Sequence, residues 1–296
     1  MPSTGVLLCV SSAAAFGAMG IFGKLAYDDG ATVGTLLVTR FVLAGALFWL
    51  LTFCAGTARE LRALRRRDIA IAISLGAVGY GAQAGCYFAA LERLDASLLA
   101  LLVYTFPAMV TVAAIALGRE SASRRTGAAL ALASVGLVLV LAGAAAGALD
   151  ALGTCLGLTA AVVYTAYILT SDGVATRVGP IALSTLVCSG AAVSLTLVAL
   201  VAGDLRPGDV RPAGYFWLCA IAVVSTVGAV GLFFAGLRRV GPSAASILST
   251  VEPVVTVALA FAVFGESLGS AQVFGGALVL SAVLAVRAPV RVAPIS

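Results

Sequence analysis

The chain has 296 residues, of which 61% are hydrophobic and only 10% charged, with a mean hydropathy of +1.12 and a formal net charge of +5. These values exclude a soluble globular domain, and the continuous, non-alternating runs rich in Ala, Leu and Gly exclude a transmembrane β-barrel. At about 20 apolar residues for each crossing of a hydrocarbon core about 30 Å thick, the length predicts about ten membrane-spanning helices and no soluble domain.

In chain order the apolar windows are 5–26, 34–54, 69–91, 97–117, 126–142, 152–170, 181–202, 214–237, 243–264 and 270–286. The first lacks the basic start of a cleaved signal peptide and is too long for its apolar region, so it is expected to remain as a span. Within it, GAMGIFGK (17–24) resembles a phosphate-binding loop only faintly. It lacks the first Gly and the final Ser or Thr, and Gly17, Gly20 and Gly23 read more simply as a small face for close helix contact. Lys24 lies near the outer end of this span and can snorkel to the headgroups. Arg40 lies six residues into the second span, about 9 Å deep, where snorkelling is less comfortable. Its guanidinium either attracts a substrate carboxylate or holds span 2 through an ion pair or carbonyl contact.

The third span carries Tyr80, Gln83 and Tyr87 at i, i+3 and i+7, an aromatic, amide and aromatic stripe on one face. Such a face belongs against protein or a wet cavity. GYGAQAG (79–85), in the same span, has one residue too many for a dinucleotide fingerprint and reads as packing. Tyr104 precedes Pro107 in the fourth span, and Tyr164 and Tyr167 lie on neighbouring faces of the sixth. Together these tyrosines outline a cavity for a small organic molecule. In the ninth span Glu252 is the one carboxylate well inside an apolar run, directly before Pro253. An ionised acid there costs about 2.5 to 3.5 kcal/mol on the insertion scale, so it needs a partner or water. A proline at 253 within a helix would free the Ser249 carbonyl, to which a protonated Glu252 could donate. The residue is thus either a proton carrier or a structural acid at a kink.

The polar breaks are short: RELRALRRRD (59–68), GRESASRR (118–125), GDLRPGDVRP (203–212) and RRVGP (238–242). With the N-terminus inside, Arg59, Arg62, Arg65, Arg66, Arg67, Arg119, Arg124, Arg125, Arg177, Arg238, Arg239, Arg287 and Arg291 fall on the inner side, against Arg93, Arg206 and Arg211 outside. This excess predicts both termini in the cytoplasm, and it makes the basic run at 62–67 a topology signal with no nucleic-acid partner. No histidine is present, and Cys9, Cys54, Cys86, Cys155, Cys188 and Cys219 show no metal-ligand spacing. No metal or other cofactor is expected. An enzyme lacks its parts, with a Ser–Lys pair through Lys24 the only formal option.

A shift of 146 residues places Leu91 on Leu237, Arg93 on Arg239, Ser97 on Ser243, Pro107 on Pro253, and Glu120 and Ser121 on Glu266 and Ser267. It also places Tyr87 on Phe233, Gln83 on Ala229 and Phe106 on Glu252, keeping an aromatic wall while changing its polar chemistry. Two five-span halves, 1–146 and 147–296, are predicted, and because five is odd they are inverted. Inverted repeats characterise secondary transporters that hold substrate near the midplane between the halves.

The segments LLVYTFPAMVTVAAIALGRE (101–120) and SILSTVEPVVTVALAFAVFGE (246–266) resemble the two signature helices of EamA-type members of the drug/metabolite transporter superfamily. The resemblance spans nearly the whole chain, apart from Gly-Arg-Glu ending the first signature and Gly-Glu the second. It implies ATP-independent transport of small metabolites, often amino acids, at a site between spans 1, 3, 4, 6, 8 and 9. The expected function is therefore amino-acid or similar metabolite efflux across the inner membrane, with Glu252 exchanging protons. The alternative is a passive channel or a structural membrane bundle. The expected site comprises Arg40, Tyr80, Gln83, Tyr87, Tyr104, Tyr164, Tyr167, Phe233, Ser249 and Glu252, with kinks at Pro107 and Pro253.

Overall fold

A computed structural model describes residues 4–91, 93, 99, 102–141, 150–264 and 269–285. Among the described residues there is no strand. The helices are α1 (Thr4–Asp28), α2 (Val33–Cys54), α3 (Ala58–Ala63), α4 (Arg66–Ser74), α5 (Gly81–Leu91), α6 (Phe106–Ala116) and α7 (Arg124–Leu141). After these come α8 (Ala151–Ala175), α9 (Pro180–Ala202), α10 (Pro212–Ala222), α11 (Ala229–Val240), α12 (Pro242–Ser249), α13 (Val251–Phe264) and α14 (Ser270–Ala285). Local chemistry accounts for several ends. Thr32 and Asp150 accept backbone hydrogen bonds from Thr35 and Gly153, capping α2 and α8. Pro180, Pro212 and Pro242 open α9, α10 and α12, where the missing N–H costs nothing.

Among the described residues, eight continuous helical segments are long and apolar enough to cross a membrane, and α6 and α14 are shorter apolar helices. The apolar windows thus fall on helices throughout the described residues. Ser97, Gly265, Glu266, Ser267, Arg287 and Arg291, used above for the repeat and the charge balance, lie outside the described residues. The outward faces suit lipid: Val193, Leu197 and Val201, one turn apart on α9, are 64%, 58% and 91% exposed.

Two features differ from a run of plain helices. The spans that begin at Arg66 and Pro212 each contain a six-residue π-turn, Leu75–Tyr80 and Val223–Gly228. A π-turn inserts a residue without a hydrophobic signature, so apolar periodicity does not reveal it. The first lies so close to α9 that a Cβ on Gly76 would run into the Val187 carbonyl.

Helix partners come in matching sets. The α1 helix lies against α11 and α13, whereas α8 lies against α5 and α6; α2 pairs with α9, and α7 with α14. At the α7–α14 crossing, a Cβ on Gly136 would stand 2.6 Å from the Gly275 carbonyl oxygen, so only glycine allows the backbones so near. Two ion pairs also correspond. Arg177, just beyond α8, donates from Nη2 (2.8 Å) and Nε (3.1 Å) to Asp68 in α4. Arg211, just before α10, pairs with Asp29 after α1 at 3.1 Å. The central core joins Phe41, Phe48, Phe106, Ile168, Leu183, Phe234, Leu237 and Leu248 from both halves of the chain.

Candidate functional site

Arg40 is 3% exposed in the middle of α2, far from any snorkelling position. Its Nε donates to the Thr226 hydroxyl at 2.7 Å, and its Nη2 donates to the Tyr80 hydroxyl at 3.1 Å. Tyr80 ends the first π-turn and Thr226 lies within the second, so one guanidinium bridges both irregular turns. The Thr226 hydroxyl also donates to the Ile221 carbonyl, five residues back, at 3.0 Å. It therefore satisfies a backbone group at the π-turn while accepting from Arg40. The guanidinium carbon stands 4.8 Å from the Phe41 ring centroid and 5.8 Å from that of Tyr80. Among the described residues no carboxylate lies within 4.0 Å of Arg40. The ion-pair option for Arg40 is not what the structure shows; its partners are neutral hydroxyls and ring faces. Five guanidinium N–H groups far exceed these two acceptors, which leaves donors for an anionic group.

From Arg40 an aromatic wall runs to Tyr104. Phe41 meets Tyr80 edge-on at 4.8 Å, Tyr80 meets Tyr167 at 6.3 Å, and Tyr167 stacks near Tyr164 at 6.1 Å. Tyr164 then meets Phe106 at 4.7 Å, and Phe106 lies 5.7 Å from Tyr104. Tyr104 and Glu252 are both half-buried. No ion pair joins Glu252 to Arg40. The aromatic chain thus starts beside Arg40 and ends at Tyr104, in the turn that matches the one before Glu252.

The backbone around Glu252 explains how its position is held. The chain breaks at Thr250, between α12 and α13, and Thr250 donates from both N (3.1 Å) and Oγ1 (2.6 Å) to the Ile247 carbonyl. The first copy breaks at Tyr104–Thr105, and Thr105 makes the same two bonds to Leu102, at 3.2 and 2.6 Å. The expected proline kinks are accordingly relocated. Pro107 and Pro253 lie in the first turns of α6 and α13, where no intrahelical donor is required. Ser249 is therefore the last residue of α12 rather than the site of one freed mid-helix carbonyl, and its hydroxyl donates to Ala245 at 3.0 Å. Across the break, α1 approaches closely. A Cβ on Gly17 would stand 2.8 Å from the Glu252 carbonyl oxygen, and Thr256 donates to the Gly17 carbonyl at 3.0 Å. Gly20 also faces Thr256, and Gly23 faces α2, so these glycines serve packing.

Of the remaining candidates, Tyr87 is half-buried and packs against the cluster of Ala90, Leu99, Val103 and Ala160. Gln83 is half-buried, between Tyr80 and Tyr87 on α5, and makes no hydrogen bond among the described residues. Phe233 is buried in the core beside Phe234, with no ring contact to the tyrosine wall among the described residues. Residues not singled out in the sequence join the site: Phe41, Phe106 and Thr226. Thr226 was detectable as a hydroxyl inside an apolar run; Phe41 and Phe106 carry no signal that distinguishes them from core. No group of three or more metal-ligating residues occurs among the described residues.

Comparison with known proteins adds an independent observation. The model of the EamA-like transporter family matches twice, over residues 3–142 and 151–288. An uncharacterized transporter YcbK from Bacillus subtilis (strain 168) is 28% identical over 279 residues, covering 92% of this chain and 89% of the relative. An uncharacterized transporter from Archaeoglobus fulgidus is 26% identical over 280 residues, 95% of each. A solved crystal structure, described simply as that of a protein, superposes with a TM-score of 0.81 over 96% of each chain at 18% identity, a likeness of fold alone.

Proposed function

As a member of the EamA-like transporter family, this chain moves a solute across a membrane, and we propose that the solute is a small zwitterionic metabolite such as an amino acid. The observation that carries this reading is the buried Arg40, which has no carboxylate partner among the described residues and stands at one end of the aromatic chain. Arg40 would receive a substrate carboxylate in its planar fork, and Glu252 a substrate ammonium or a proton. The aromatic faces of the chain suit the apolar middle of an amphipathic solute and favour a nearby cation.

In this proposal ten helices form two inverted five-helix repeats, 1–146 and 147–296, with both termini on the cytoplasmic side of the inner membrane. The double family match, the corresponding π-turns and the exchanged helix partners support that arrangement. Rocking of one half against the other would expose the site to each face in turn, and export would exchange the solute for protons at Glu252.

The test is counterflow in reconstituted vesicles. Labelled neutral amino acids should exchange with unlabelled ones saturably, and their decarboxylated amine analogues should fail to compete. Arg40→Lys, which keeps charge but loses the fork, should weaken exchange by about tenfold to a hundredfold. Glu252→Gln should abolish the response to an imposed pH gradient. Non-saturable flux without exchange would establish the passive channel instead, and an unchanged rate and pH response in Glu252→Gln would remove the proton role.

A further inference from the structure

The polar loop at residues 117–123 and the start of α7 together tie the first half of the chain to three separate helices of the second. Arg119 Nη1 donates to the Leu169 carbonyl of α8 at 2.6 Å. The Glu120 carboxylate accepts from the Ser243 backbone N–H, in the first turn of α12, at 3.3 Å. Just beyond the loop, Arg125 Nε donates to the Ala285 carbonyl at the end of α14 at 2.7 Å. Glu120 at the start of α12 and Arg125 at the end of α14 each suit their helix terminus electrostatically.

The joint differs from the neighbouring ion pair between Arg177 and Asp68, where two short hydrogen bonds converge on one carboxylate oxygen. Glu120 is buried at 8% exposure, yet the bond it makes is long, and the Ser243 hydroxyl beside it is buried with no partner among the described residues. Buried polar groups left short of hydrogen bonds raise the free energy of the state that buries them, and water would satisfy them once the joint parts. A permanent strut would be built like the Arg177–Asp68 pair.

We propose that the 117–123 loop is a latch, with Glu120 on α12 as its catch, that shuts the central site from the face of the membrane bearing this loop and releases when the site opens there. The inference rests on the alternating-access reading above, in which the two halves move relative to one another. Because Glu120 binds the helix whose end at Thr250 leads directly to Glu252, release at Ser243 frees the element that positions the deep carboxylate.

The test uses Gln83→Cys as a reporter, in a full chain whose six native cysteines are replaced by alanine or serine. A membrane-impermeant maleimide is applied from each face of sealed vesicles. Glu120→Gln, which removes the charge from the helix terminus, should raise labelling from the loop face about threefold and lower it from the opposite face. Ser243→Ala, which removes the unpartnered hydroxyl, should shift labelling the opposite way by stabilising the closed joint. Opposite signs in the two variants cannot arise from loosened folding. Labelling that is unchanged in both variants, or that rises from both faces together, overturns the latch while leaving the central site intact. A reporter labelled from neither face in the chain with Glu120 and Ser243 intact overturns the central cavity and the latch with it.

Discussion

The breaks at Tyr104–Thr105 and at Thr250 are the same device used twice. In each, a threonine hydroxyl reaches back 2.6 Å to the carbonyl three residues earlier, and a proline occupies the first turn of the helix that follows. They differ by one residue. A single residue, Phe106, separates threonine from proline in the first copy, whereas Val251 and Glu252 separate them in the second. The break is therefore architecture, and the second copy carries an acid before its proline where the first carries Phe106. Tyr104, from the turn of the first copy, extends the aromatic chain from Phe106 at 5.7 Å.

The largest effect should come from erasing the difference. Deleting Val251 would make the second break read Thr-Glu-Pro, as the first reads Thr-Phe-Pro, and would rotate all of α13 by about 100° relative to α12. Counterflow should be lost completely while the detergent-solubilised chain remains monodisperse; retained exchange would show that the spacing is incidental. A smaller effect should follow from Tyr104→Phe, which keeps the ring and removes a hydroxyl from the end of the aromatic wall. A neutral hydrogen bond to substrate contributes about 0.5 to 1.5 kcal/mol, so exchange should weaken by roughly twofold to tenfold with little change in thermal midpoint. Thr105→Val and Thr250→Val should have the least effect. Each removes one local hydroxyl-to-carbonyl bond, about 0.6 kcal/mol within a membrane, and equal small drops in the thermal midpoint would mark the breaks as equivalent. A large drop in one alone would mean that the copies bear different loads.

The membrane class, the apolar windows and the unusual charged and aromatic residues within them were legible in the sequence because each rests on composition or on spacing along one helix. Arg40 and Glu252 stood out since charge in an apolar run is costly wherever the chain goes. Tyr80, Tyr104, Tyr164 and Tyr167 were identified as a set, although their order along the wall was not. Phe41 and Phe106 escaped because a phenylalanine in a greasy helix looks the same whether it faces core or cavity. The π-turns escaped as well, since one added backbone residue leaves hydropathy unchanged. Phe233, matched to Tyr87 through the repeat, lies in the same buried cluster as Phe41, Phe106 and Tyr167 without a ring contact to the tyrosines among the described residues.

Composition alone settled that this chain must live in a bilayer, because 61% hydrophobic residues in unbroken runs have no other stable solvent. Periodicity and the internal repeat identified where polarity was unusual and which prolines were duplicated. Tertiary structure decided what those polar groups do. Only packing brings a residue of α2 onto two π-turns some 148 positions apart, from 75 to 223, and only packing brings Phe106 to Tyr164. Hydrogen bonds and ring contacts act over a few ångströms, and distance along the chain carries no information about which residues will come that close.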